Sequence, residues 1–445
     1  DSVAQGTDED TQGDADVRYG SQRFIMQWAR NFSKDFTVRV TPSVGYDSIG
    51  FGLGDSFSFT NNAWIYELRA DALWTVSPHL TLRPGLDFIG GPYEVIIETP
   101  YSPEAIASTD PLAEREDYST SFNGTFWSPD PFLEVQVRPL EDPDALLLVP
   151  GIRLNTIFFP SYSRATLDPR ISARWSPLES TTLKGGTGLY HQPPQGPDLG
   201  FDEDNIQVDF ERTWSTEVGF EQSFGAVWEA DMTVFSKKLE NLIVQNESYD
   251  SADDAFFVNE GSGRVRGLEA LIRHNPVGPV FGWVSYTLSK AERKEVPQQD
   301  RGGSVPSEAD EWRPFEYDQT HILVALAGVE LPKDWGVSGR FRYTTGNPYT
   351  PYDGSVYDVD QNTYFPFQSG DALSDRLAPF MALDLRVDKR YTFKHWWLET
   401  YLDMLNVVRG ENPEGLQYNY DYTQSAPIRG LPFIPSPGIR AEFSL

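Results

Sequence analysis

Residues 36–46 read Phe36-Thr-Val-Arg-Val-Thr-Pro-Ser-Val-Gly-Tyr46. Taking every second residue puts Phe36, Val38, Val40, Val44 and Tyr46 on one face, and Thr37, Arg39, Thr41 and Ser43 on the other. Successive side chains of a pleated strand point to opposite sides, so a period of two describes a strand with one apolar and one wetted face. The same pattern runs through 80–88 (LTLRPGLDF) and 133–138 (LEVQVR). Further along, Val337, Phe341 and Tyr343 alternate with Ser338, Arg340 and Arg342. Met381, Leu383, Leu385 and Val387 alternate with Ala382, Asp384, Arg386 and Asp388. No stretch reads as an amphipathic helix longer than about three turns.

The composition narrows what such an all-β chain does. It has 445 residues with 36 Lys+Arg against 66 Asp+Glu, a formal charge of −30. A chain this acidic is repelled by phosphate backbones, which excludes nucleic acid as a partner. Cysteine is absent, so disulfides, thiolate metal sites and cysteine nucleophiles are excluded together. Aromatic residues make up 14% of the chain, too many for a disordered acidic tail. Apolar runs such as 322–329 are strand-sized, far short of the roughly 18 residues of a membrane helix. A membrane barrel stays open, because its strands turn every second residue toward water.

The connections between strands alternate in length. Short ones with turn residues fall at 31–36, 77–79, 140–145, 176–181, 223–226, 275–279, 332–336 and 392–396. Between them lie long polar connections near 47–62, 97–129, 191–209, 241–261, 292–314, 346–378 and 410–433; that near 159–164 is short. Tight turns at one end and long loops at the other are the asymmetry of an outer-membrane barrel. Trp74, Trp175, Trp228, Trp335, Trp396 and Trp397 all lie in or beside short turns, as an interfacial girdle does. Eight short turns and a last strand at 437–445 predict about seventeen strands. The odd count is expected to place the first strand, near 20–30, descending from the long-loop side. Residues 1–17 are then an acidic extracellular loop segment and 18–445 the barrel.

Five passages carry a family resemblance. They are Asp168-Pro-Arg-Ile-Ser-Ala-Arg-Trp175, Arg266-Gly-Leu-Glu269 and Arg313-Pro-Phe-Glu-Tyr-Asp-Gln-Thr-His321. Arg340-Phe-Arg-Tyr-Thr-Thr-Gly-Asn-Pro-Tyr349 follows, then Leu405-Asn-Val-Val408 with Asn412-Pro-Glu-Gly415 leading to the closing strand. In this order the chain resembles the C-terminal barrel of a TonB-dependent outer-membrane receptor. The resemblance implies a 22-stranded barrel in the bacterial outer membrane, among its lipids and lipopolysaccharide. It also implies an N-terminal plug, about five further strands from the same gene or a separate chain, and the TonB complex as partner. Import of an external solute, without a cofactor or enzymatic activity, is the expected function. A structural or interaction barrel, as one half of a split receptor anchoring a larger envelope assembly, and a passive porin are the alternatives. Gly438 and Phe443 of the last strand resemble the signal read by the barrel-assembly machinery.

Candidate functional residues follow from the same pattern. Arg39, Arg83, Asp87, Arg340, Arg342, Asp384 and Arg386 lie opposite apolar faces, so they face the lumen and are expected to contact the plug; a simple solvated channel wall is the alternative. On that basis Asp384→Asn is expected to be mild. Tyr349, Tyr352, Tyr357 and Tyr364, with Tyr418 and Tyr420, gather aromatic faces in two long loops where an external ligand arrives; self-packing of the loops is the ordinary alternative. Ser56 with Asp318 and His321 echoes an esterase arrangement, but no helix supplies oxyanion donors beside Ser56. The five histidines are scattered and Asp8–Tyr19 lacks the acidic twelfth position of a calcium loop, so no metal site is expected.

Overall fold

The computed structural model of the chain describes residues 15–53, 57–99, 118–194, 208–245, 257–294, 312–358, 363–368 and 371–443. Nineteen strand segments join in one antiparallel sheet. Ala15–Ile25 and Trp28–Asn31 both run along Phe36–Leu53, and Arg313–Pro314 and His321–Leu331 both run along Val280–Lys294. Counting each of these two pairs as one interrupted pass leaves seventeen passes, each paired with the next in sequence. Among the described residues the first pass and the last, Ile434–Phe443, are paired on one side only.

The period of two explains why the sheet has two unlike faces. On Phe57–Ser77, Trp64 and Trp74 face outward at 48% and 49% exposure, with Leu68, Ala70 and Ala72 between them. Ten residues at about 3.3 Å each, tilted by about 40°, span roughly 25 Å, the height of a barrel's apolar band. The strand therefore carries an aromatic girdle at each edge of the band. On the opposite face of the same strand lie Glu67, Arg69 and Asp71, all in ion pairs or hydrogen bonds.

All eight predicted short turns are present. Gly225 (φ 65°) and Gly278 (φ 84°) take the left-handed backbone that two of them require. At 332–334 Lys333 and Asp334 adopt it without glycine, and the Lys389 ammonium donates to the Lys333 carbonyl there.

The structure corrects three expectations. The connection at 47–62 is almost entirely strand, since pairing continues until Leu53 lies opposite Phe57. Likewise Leu80–Thr99 and Tyr118–Val137 stay paired until Thr99 meets Tyr118, well inside the expected loop 97–129. Backbone pairing does not need apolar side chains; above the band, polar contacts such as Ser48 to Asn62 (2.8 Å) replace them. Third, Trp397 does not belong to the girdle. Adjacent strand residues face opposite sides, so Trp396 faces outward and Trp397 lies inside, under Arg390 at 4.6 Å and Arg440 at 5.3 Å. Of the expected segment 1–17, residues 1–14 lie outside the described residues and Ala15–Val17 pair with Phe51–Leu53.

Leu385 faces outward opposite Gly339, four residues above the Trp335 girdle. Replacing it with Arg should destabilise the barrel by roughly 2–4 kcal/mol, as a charge near the bilayer midplane does. Glu269→Gln, on the inner face, should change stability little. Denaturant titration of refolding in lipid vesicles measures both, and equal costs would contradict the assignment of faces.

Candidate functional site

The inner wall is a set of ion pairs that cross from strand to strand. Arg39 donates to Asp71 through Nε at 3.2 Å and Nη2 at 2.8 Å, and Arg83 reaches the same carboxylate from the next strand at 3.3 Å. Asp87 accepts from Arg153 at 2.5 Å, and Arg153 also donates to Asp130 at 2.9 Å. Asp384 accepts from Arg340 at 2.8 Å, from Arg342 at 3.3 Å and from the Asn406 backbone at 3.0 Å. Arg386 holds Glu399 at 2.8 Å and Asp403 at 3.1 Å. All seven charged residues selected from the sequence thus share one face. Each is already committed to another strand, and where the partners face each other across a ladder opposite charges stabilise by about 0.2–1 kcal/mol per pair. Asp384 corrects the expectation of mildness: it is buried and holds three donors, so Asp384→Asn weakens two guanidinium contacts.

At the long-loop end the tyrosines come together. The connection 346–378 folds back as a hairpin, Tyr352–Asp358 with Thr363–Gln368, and 410–433 as Pro413–Tyr418 with Ser425–Arg429. Tyr352 packs against Tyr418 at 5.3 Å and Tyr422 at 5.7 Å between ring centroids. Tyr364 packs against Tyr357 at 4.9 Å and Tyr420 at 5.6 Å. The Ser355 hydroxyl donates to the Asp421 carbonyl at 2.6 Å. Asp421 also organises its own turn by accepting from Thr423, which holds its carboxyl below the usual range. The two hairpins are therefore one unit, and Tyr420 (62% exposed) and Tyr357 (44%) remain exposed in it. Tyr349 stands apart, donating to Asp375 at 3.0 Å; burial first and then Asp375 raise its pKa.

A clamp fixes the root of this unit. Asp318 is almost wholly buried and accepts from the Arg376 guanidinium at 2.5 Å and the Ala291 backbone at 2.7 Å. Arg376 also donates to the Asp318 and Gly346 carbonyls. His321 meets the Tyr286 hydroxyl at 2.9 Å instead. Asp318 and His321 are thus engaged separately, and Ser56 lies outside the described residues, as does Asp8–Asp14 of the calcium-like stretch. Among the described residues no cluster of three metal-ligating side chains forms.

On the last strand, Gly438 makes room for Tyr401, whose ring would lie 2.2 Å from a Cβ placed there. Phe443 stacks outward on Trp396 at 5.6 Å, which in turn stacks on Phe393 at 4.4 Å.

Sequence reasoning missed an aromatic cluster near the short outer turn at 159–162. Phe159 stacks on Phe126 (5.9 Å) and touches Tyr93 (6.0 Å) and Tyr162 (6.4 Å), with Ile157 and Phe210 completing a buried core. Beside it His191 meets Asp168 at 2.6 Å. The members come from several separate segments; the one local signal was the brevity of this outer turn. The Tyr162 hydroxyl is buried without a hydrogen-bond partner, and burial pushes its pKa up to about 12, against the pull of Arg164. An acid with a raised folded-state pKa stays protonated when the unfolded chain ionises. Its stabilising effect is therefore constant below pH 10 and falls from pH 10 to about 12, by about 2–3 kcal/mol. Tyr162→Phe should abolish that alkaline loss and leave stability at neutral pH unchanged or raised, read by thermal unfolding between pH 8 and 12. An unchanged alkaline slope would contradict the burial of this hydroxyl.

Residues 2–408 match the family described as TonB dependent receptor-like, beta-barrel. No curated protein matches the sequence. Among solved structures the chain is similar to the ferric-catecholate import receptor Fiu from E. coli K12 (14% identity, TM-score 0.63). It covers 96% of itself and 64% of that receptor. It is similar to the siderophore receptor PiuA from Acinetobacter baumannii (11%, TM-score 0.67, covering 97% and 65%). The FrpB iron transporter from Neisseria meningitidis is a third (13%, TM-score 0.65, covering 98% and 66%). The chain spans just under two thirds of the length of these receptors. Paired strands, sorted turns, a double girdle and this match agree: the chain belongs to the TonB-dependent receptor β-barrel family of the Gram-negative outer membrane.

Proposed function

We propose that this barrel is the larger part of a receptor that captures a scarce external solute at its long-loop end and passes it inward, driven by the TonB complex. The observation that carries this reading is the tyrosine unit, rooted by the Asp318–Arg376 clamp and standing on the loop side of the sheet. Two hairpins locked to one another offer ring faces at low entropic cost, which suits a ligand with planar rings. Fiu and PiuA are receptors for a ferric catecholate and a siderophore, and a ring-bearing metal chelate is the solute class we propose here.

The rest of the assembly is inferred from the wall. A 22-stranded lumen is too wide for side chains to fill and needs a plug to be selective. The two one-sided edges each leave a row of backbone groups that costs several kcal/mol per unmet group in hydrocarbon. We therefore infer about five more strands and a plug, from the same polypeptide or a second one, meeting an inner wall whose charges are already paired. Arg39, Arg83, Asp87, Arg340, Arg342, Asp384 and Arg386 would offer it the outer edges of these pairs. Gly438 and Phe443 would serve insertion by the assembly machinery.

Uptake of labelled ferric catechol chelates into iron-starved cells, with and without the gene and with and without TonB, tests the reading. Uptake should require both, and Tyr357→Ala with Tyr420→Ala should weaken chelate binding about tenfold, the loss of roughly two ring contacts. Uptake that persists without TonB would identify a passive pore. A barrel that binds and imports none of them would favour the anchoring role.

A further inference from the structure

The outer face of four adjacent strands carries cations that the transport reading does not use. On Trp228–Gln245, Phe257–His274 and Val280–Lys294, the side chains sharing a face with exposed Trp228, Val234, Ile272 and Val284 are outward. Following that face toward the long loops leads from the apolar Val234, Leu268 and Leu288 to Arg266, which stands directly opposite Lys290. One step further Lys238 stands directly opposite Arg264. Directly opposed side chains of an antiparallel pair are about 5 Å apart at Cβ, and like charges there are destabilising. Two such cation pairs side by side are unexpected in a chain of net charge −30.

Nearby carboxylates offset them only in part. Glu292 holds Arg264 at 2.6 Å and Lys290 at 2.7 Å, and Glu240 holds Lys238 at 2.6 Å and Arg212 of the neighbouring strand at 2.7 Å. Four of the five cations thus share two carboxylates, and among the described residues Arg266 forms no ion pair. The Arg264 guanidinium lies over the Trp312 ring at 4.1 Å, which fixes its plane. Exposed Trp214 lies directly opposite Lys238 on the outward face, and an outward Trp beside cations marks the rim of the apolar band, where lipid headgroups begin.

We infer that this patch binds the phosphates of a phosphorylated glycolipid of the lipopolysaccharide type. Its acyl chains would lie along Val234, Leu268 and Leu288, and its phosphates would bridge Arg266 and Lys290 and reach Lys238. Guanidinium and ammonium donors form charge-assisted hydrogen bonds with phosphate oxygens. A multiply phosphorylated headgroup matches two adjacent cation pairs better than a single phosphodiester does. This inference does not rest on the transport reading.

The protein purified from outer membranes in mild detergent, as it is made there, serves for the test. Native mass spectrometry would follow retention of added lipid A, of its dephosphorylated form and of phosphatidylglycerol. Lipid A should be retained, and Arg266→Gln with Lys290→Gln should lower its retention about tenfold or more. Lys237→Gln, on the inner face of the adjacent strand Trp228–Gln245, should not. Arg266→Lys with Lys290→Arg keeps both charges and should keep the lipid, which separates lost binding from lost folding. Equal retention by the Gln variant, or equal retention of the dephosphorylated lipid, would overturn the site. Equal retention of phosphatidylglycerol would overturn the glycolipid as its occupant.

Discussion

Hydrocarbon offers backbone N–H and C=O groups no partner, and that constraint governs this chain. A strand crossing the bilayer must find its hydrogen bonds in the next strand, so each of the seventeen passes pairs with its neighbour in sequence and tight turns join them on one side. Once pairing is fixed, the pleat decides the rest. Every second side chain meets lipid and the others meet the lumen, so Trp64, Leu68 and Trp74 look outward while Glu67, Arg69 and Asp71 look inward from the same strand. Within the apolar band of this strand the charges lie on the inner face, where they pair with charges of the neighbouring strands.

Within the wall, charge neutralisation is lateral. Asp71 gathers two guanidiniums from the strands on either side, and Asp384 gathers two more together with a backbone N–H. Such shared carboxylates resist slippage of the ladder, because shifting one strand by a residue would turn its charges to lipid. At the long-loop end the same economy operates in a different form. There the interrupted pass between Arg313–Pro314 and His321–Leu331 places Asp318 where Arg376 can close on it. The loop that carries the tyrosine hairpin is thereby tied to the barrel rim.

Much of this was legible from the period of two. The faces of Arg39, Arg340 and Asp384, the positions of all eight turns and the number of passes follow from local alternation and turn chemistry. What local sequence does not encode is which residues meet across strands. Register depends on the whole pairing, so Asp71 as the shared partner of Arg39 and Arg83 was not visible, nor was Asp318 under Arg376. At 47–62 polar strands above the band share the composition of loops, so the end of pairing is not encoded there. Trp397 lies beside a turn as the girdle tryptophans do, but the parity of the strand sets it opposite Trp396. For the tyrosines, sequence offered ligand binding and self-packing as alternatives. The hairpins pack against each other and leave Tyr357 and Tyr420 partly open.

The absence of native cysteine permits a direct measurement of the central claim, that alternate residues face lipid and water. Single cysteines placed at each position from 381 to 388 would be challenged with a membrane-impermeant, water-soluble maleimide in intact outer membranes. Labelling is expected at the half-buried lumenal positions Arg386 and Asp388, and protection at Met381, Leu383, Leu385 and Val387 until detergent is added; Ala382 and Asp384 are buried against their neighbours and report less. Uniform labelling along the strand, or the opposite parity, would contradict it.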